Sequence, residues 1–185
     1  MELNNVDLNK IQTLLAIAEL GSVTASAARL ALTRSAKAGQ SRVSHLLTDP
    51  ATRLPRFLAD PTEGASGLLI AEYAAGSALA VIRGQASTPA SVQTVSVSAG
   101  VEDDASFATT AAVRMGAVVD AYRHIVAVEL VCAVRALRMR GVRLQGELAD
   151  VMSACQELPS DLRDRDLAPD LAVAERLLRE HAWGG

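Results

Sequence analysis

Three adjacent carboxylates, Glu102, Asp103 and Asp104, close the polar stretch "GQASTPASVQTVSVSAGVEDD". Carboxylates in such number suit a hard cation, yet neighbouring residues point in different directions and no second cluster supplies the remaining oxygens. No metal site is expected. The same residues also fit the start of a helix, with Asp103 or Asp104 as N-cap and the helix dipole favouring negative charge there. Two cysteines, Cys132 and Cys155, lie in apolar surroundings without metal-type or redox-type spacing, and read as small core residues.

The elements that would position these groups read as helices. Half of the residues are hydrophobic but only 3% are aromatic, and the apolar set is mostly Ala, Val and Leu. That composition favours closely packed helices, so an all-α fold is expected. "DLNKIQTLLAIAEL", from Asp7 to Leu20, has apolar residues at helical spacing, with Asp7 as N-cap and Gly21 as stop. A second helical segment runs from Thr24 into "RVSHLL", and Pro50, Pro55 and Pro61 then hold the chain in a loop. Ser66 to Ile82 forms a helix rich in Ala, Gly and Ser, with Ser66 as its cap and Gly64 and Gly67 turning the chain into it. After the polar loop, Ala105 to Arg140 is nearly free of breakers, enough for a helix of roughly 50 Å. Its apolar residues surround most of the circumference, so other helices or other chains must cover it. Helices from Leu144 to Leu158 and from Asp170 to His181 complete the reading.

The net charge of −3 and a pI near 5.6 give the whole chain no electrostatic case for nucleic acid or an anionic membrane. Asp120, Arg123, His124 and Glu129 interrupt the most apolar stretch, so it reads as a bundle helix, not a membrane span. The N-terminus lacks a positive region followed by an apolar run, so no signal peptide is expected and the cytoplasm is the expected compartment. One local exception is "LLAIAELGSVTASAARLALTRSAKAGQSRVSHLL", which resembles the helix-turn-helix of LysR-type regulators. Arg29, Arg34, Lys37, Arg42, Arg53 and Arg56 make it basic, as phosphate contacts require. No wing or effector domain follows.

A more extensive resemblance is carried by five segments in order. "RVSHLLTDP", "LPRFLADPTEGASGLLIAEYAAGSALA", "PASVQTVSVSAGVEDDASFATTAA", "IVAVELVCAVRAL" and "DRDLAPDLAVAERLL" resemble the carboxy-terminal half of histidine ammonia-lyase and its relatives, the phenylalanine and tyrosine lyases and the aminomutases. The likeness runs from Arg42 to Leu178. Upstream, "LLAIAELGS" matches a family helix, but additional residues separate it from the next matching segment. Residues 1–41 are therefore read as an N-terminal helical segment, and 42–185 as a helical-bundle domain of the ammonia-lyase type.

The resemblance implies an all-α bundle of long helices that associates with other chains, and an active site built from more than one chain. It also implies a methylidene-imidazolone group (MIO), made by cyclisation of an internal Ala-Ser-Gly and used to eliminate ammonia from an α-amino acid. Ala65-Ser66-Gly67 has that composition, but Leu68-Leu69 follows it where the family has Asp-Leu. Its place after "LPRFL" matches a family Asn-Ser-Gly that opens an interior helix, so this chain is not expected to form MIO. Glu102 matches the acidic residue of the family segment Asn-Gln-Glu-Asp, which approaches the cofactor and the substrate amine. A carboxylate there takes a proton or holds an ammonium, and Glu102 is the expected catalytic residue. Val101 stands where the family has Gln and Asp104 where it has His, so unmodified lyase chemistry is not implied. Ser96 and Ser98 keep the small polar character of that loop and are candidate substrate-lining residues, with Val101 and Asp104. The resemblance thus implies the small subunit of a split enzyme in specialised metabolism. A larger partner resembling the amino-terminal half would bring MIO and most of the substrate pocket in a heterotetramer or higher assembly. A non-catalytic scaffold subunit is the alternative.

Overall fold

The computed structural model describes residues 22–62, 64–87, 95 and 108–180. Among them the chain is helical: α1 (Ser22–Thr48), α2 (Leu69–Ala86), α3 (Ala108–Arg140), α4 (Glu147–Ala154) and α5 (Ala168–Glu180). Short 3₁₀ turns occupy Pro50–Thr52, Arg56–Leu58 and Cys155–Glu157. The all-α expectation holds. The expected helix from Asp7 to Leu20 lies outside the described residues.

Contacts divide the chain into two units, Met1–Ala36 with Leu79–Tyr122, and Lys37–Ala78 with Arg123–Gly185. In the first unit the buried residues recur at helical spacing: Ala28, Leu32 and Ala36 on α1, Leu79 and Ile82 on α2, and Ala111, Met115, Val118, Val119 and Tyr122 on α3. Leu30, Val81 and Val113 of the same unit are exposed.

The second unit holds a contiguous apolar core. Val43 and Leu47 of α1, Leu68, Ala71 and Ala75 at α2, a run from Ala127 to Ala136 on α3, and Ala174 and Leu177 of α5 form it together with Leu58, Cys155, Leu158 and Leu167. Each large side chain among them contributes about 1.5–3 kcal/mol by leaving water. Small residues set how closely the helices approach. A Cβ on Gly39 would lie 3.1 Å from the Cγ2 of Ile125, so α1 meets α3 closely there and even a methyl would require the Ile125 side chain to give way slightly.

Polar pairs fix the register around that core. The Arg42 guanidinium grips Glu129 in a fork, Nε to Oε1 at 2.5 Å and Nη2 to Oε2 at 2.8 Å. Ser44 donates to Glu72 at 2.6 Å, tying α1 to α2. His124 on α3 meets Glu175 on α5 at 2.7 Å. Arg138 donates to the carbonyls of Cys155, Leu158 and Pro159, satisfying the backbone where the chain leaves the short 3₁₀ turn.

Candidate functional site

The tripeptide Ala65-Ser66-Gly67 sits where the loop after Leu58 enters α2. The backbone N–H and the hydroxyl of Ser66 both donate to Oδ2 of Asp164 at 2.7 Å, and the N–H of Gly67 donates to Oδ1 at 2.8 Å. These three donors hold the Asp164 carboxyl below its ordinary range, with the Ser66 backbone the largest contributor. The expected role of Ser66 as the side-chain cap is thus corrected. Its hydroxyl donates to a remote carboxylate, and the regular helix begins at Leu69.

The backbone opposite is equally constrained. Phe57 and Leu58 lie in the left-handed region, at φ 58° and 50°, which costs non-glycine residues energy and persists only where neighbours enforce it. The enforcing contacts are Leu68 N–H to the Phe57 carbonyl at 2.8 Å and Arg135 Nε to the Leu58 carbonyl at 2.9 Å. Gly67, at φ 57°, leaves no space for a side chain: a Cβ would stand 2.6 Å from both the Phe57 oxygen and the Ala59 Cα. Arg135 is only 7% exposed and spends its other arm on the Leu162 carbonyl at 2.6 Å. Burial lowers its affinity for a proton, with Arg165 adding to the effect. The Ala-Ser-Gly segment is a loop-to-helix junction held from three sides.

The other sequence-predicted residues fall elsewhere. Glu102, Ser96, Ser98, Val101 and Asp104 lie outside the described residues, as does Asp103 with its proposed cap. Cys132 and Cys155 are buried and unpaired. Burial, reinforced by Glu129, pushes the Cys132 thiol up to about 12, which suits a core residue and not a nucleophile. Among the described residues no group of three or more His, Cys, Asp or Glu is placed to hold a metal, and no helix is long and apolar enough to cross a membrane.

The comparisons give the helix-turn-helix reading no support. "SVTASAARLALTRSAKAGQSRVSHLLT" is one 27-residue helix that runs through the expected Ala-Ala and recognition helices, while the expected first helix and Gly21 lie outside the described residues. Arg42 is committed to Glu129, and Arg56 stacks on the Phe57 ring at 4.8 Å. Residues that sequence reasoning missed are Asp164 and Arg135. Arg135 had a signal, since a cation inside "VCAVRAL" must find acceptors, whereas nothing near Asp164 announced its distant partners.

This helical architecture places the chain among the ammonia-lyase-type folds. The family model for aromatic amino acid lyase matches residues 18–158, and the chain belongs to that family. It is 33% identical over 168 residues to histidine ammonia-lyase of Aliivibrio fischeri (strain MJ11), covering 90% of this chain and 33% of that one. Histidine ammonia-lyase from Trypanosoma cruzi superposes with a TM-score of 0.79 at 25% identity, over 85% of this chain and 31% of that one. Tyrosine aminomutase from Streptomyces globisporus superposes at 0.75 with 25% identity, over the same 85% and 31%. The chain spans about a third of the length of the relatives it matches.

Proposed function

We propose that this chain is the small subunit of a split ammonia-lyase- or aminomutase-type enzyme acting on an amino-acid-type substrate. Residues 42–185 form its ammonia-lyase-like domain and supply the long-helix scaffold together with one acidic loop. Family membership carries the reading, and the resemblance of "SAGVEDDAS" to the family's Asn-Gln-Glu-Asp segment supports Glu102 as the reacting group. Glu102 is the proposed catalytic residue, taking a proton from the substrate or holding its ammonium. Ser96, Ser98, Val101 and Asp104 line the substrate beside it. With Val101 and Asp104 in place of an amide and an imidazole, the pocket offers fewer donors to a substrate carboxylate or ring.

The electrophile of the family does not fit the Ala-Ser-Gly of this chain. Closing a five-membered ring from that tripeptide requires the glycine nitrogen to reach the alanine carbonyl carbon. Here the Gly67 N–H is spent on Asp164, and Gly67 is packed against the backbone of Phe57 and Ala59. In this reading MIO, which supplies the electrophilic carbon for C–N bond chemistry, comes from a larger partner in a heteromeric assembly, a heterotetramer or higher. Two buried thiols without disulfides suit a reducing cytoplasm.

The test is Glu102→Gln in the assembled complex. The variant keeps the shape of the side chain and removes its charge. Turnover is expected to fall by about 10² to 10⁴ with the assembly unchanged. Unchanged turnover would leave the chain as a non-catalytic scaffold subunit.

A further inference from the structure

We propose that a depression at the carboxy-terminal end of α1 is a secondary binding site for a small α-amino acid with an apolar side chain. The depression has a volume of about 390 Å³ and is lined by the stretch between Leu47 and Arg56. That volume lies at the low end of the range of small-molecule sites. Leu47 and Leu54 supply apolar wall, Thr48 and Thr52 lie on its lining, and the carboxylate of Asp49 and the guanidinium of Arg56 bring opposite charges to one concavity.

The local backbone is built to hold these groups. Asp49 accepts the Ala51 N–H on Oδ1 at 2.8 Å and so fixes the 3₁₀ turn Pro50–Thr52, and the same residue lines the depression. Arg53 leaves that turn at φ 53°, and Phe57 and Leu58 follow at 58° and 50°. Each of these three left-handed residues needs neighbours that enforce its conformation. Arg140 holds the first of these bends by donating to the Thr52 carbonyl, and Leu68 and Arg135 hold the others. Arg56 lies over the Phe57 ring, 4.8 Å from its centroid.

The chemistry of the recess selects its ligand. A guanidinium recognises a carboxylate through paired N–H donors. An aspartate at a helix carboxy-terminus, where the dipole is negative, favours an ammonium. Both on one recess with leucine walls match a zwitterion with an apolar side chain. A polyanion would be repelled by Asp49, and a simple cation by Arg56. This site is separate from the Glu102 loop in sequence and does not rest on the function proposed above.

The test is a ¹H–¹⁵N titration of the full chain, with any partner that co-purifies, using L-leucine as the probe. Saturable shifts at residues 47–56 with a dissociation constant of about 1 mM are expected. 4-Methylpentanoate and 3-methylbutylamine, each lacking one charge, should bind at least about tenfold more weakly. Arg56→Gln should weaken leucine binding to the same extent. Asp49→Asn should also do so, and it retains the oxygen that accepts from Ala51, so the turn stays folded. Glu102→Gln should leave these shifts unchanged, which separates this site from the active-site reading. No saturable shift at 47–56, equal shifts from the singly charged analogues, or variants that bind as the parent does would overturn the proposal.

Discussion

Two aspartates stand two residues apart in "RDRDLAPD" and serve two helices in opposite ways. Asp166 accepts the Ala168 N–H at 2.9 Å and caps the helix that its own segment begins. Asp164 turns instead to Ser66 and Gly67, nearly a hundred residues earlier, and anchors the entrance to α2. Between them Arg165 pairs with Asp170 at 2.6 Å, and Asp170 is only 3% exposed. One carboxylate thus closes a local turn and its near neighbour joins two distant parts of the chain. The difference lies in what each removal would release: one end of a terminal helix in the first case, the packing of a strained loop in the second.

The comparison is broken most severely at Gly67. Gly67→Ala places a Cβ 2.6 Å from the Phe57 oxygen and the Ala59 Cα, at a φ that only glycine adopts freely. A loss of about 3 kcal/mol or more is expected, read as a lower urea midpoint. Removing the remote carboxylate comes next. Asp164 titrates below its ordinary range in the folded chain, so its contribution is fully present above the unfolded value near pH 4 and is lost as the pH falls through the folded value. Asp164→Asn should therefore lower stability at neutral pH and flatten its dependence on pH in the acid range. If urea midpoints of parent and variant coincided from about pH 6 to about pH 3, the clamp would carry no stability. Asp166→Ala sharpens the contrast, with an expected cost of about 1 kcal/mol. In hydrogen exchange that loss should be confined to the first turn of α5.

How much of this was legible in the sequence follows the same division. The long helix α3 was legible because its apolar residues recur from Ala108 to Arg140 with Gly116 as the one breaker, and the structure buries Met115, Tyr122, Ile125 and Val128 along it. Family membership was legible because five segments kept their order. The cap of α2 was assigned to Ser66 because capping is normally local, and a partner 98 positions away leaves no periodic trace. The helix-turn-helix reading arose because "ASAARLALTRSAKAG" alternates small and basic residues, a pattern an uninterrupted helix carries equally well. Burial of Arg135 was readable as a demand for acceptors, but the carbonyls of Leu58 and Leu162 that meet it were not.

The central claim is that this chain completes an active site shared with another chain. Native mass spectrometry of the untagged complex, purified from its natural source, tests it most directly. The account predicts a stable heteromer with a second chain of about twice this length whose own Ala-Ser-Gly carries the mass loss of cyclisation. A stable monomer with no companion, or an oligomer of this chain alone that turns over an amino acid, would contradict it.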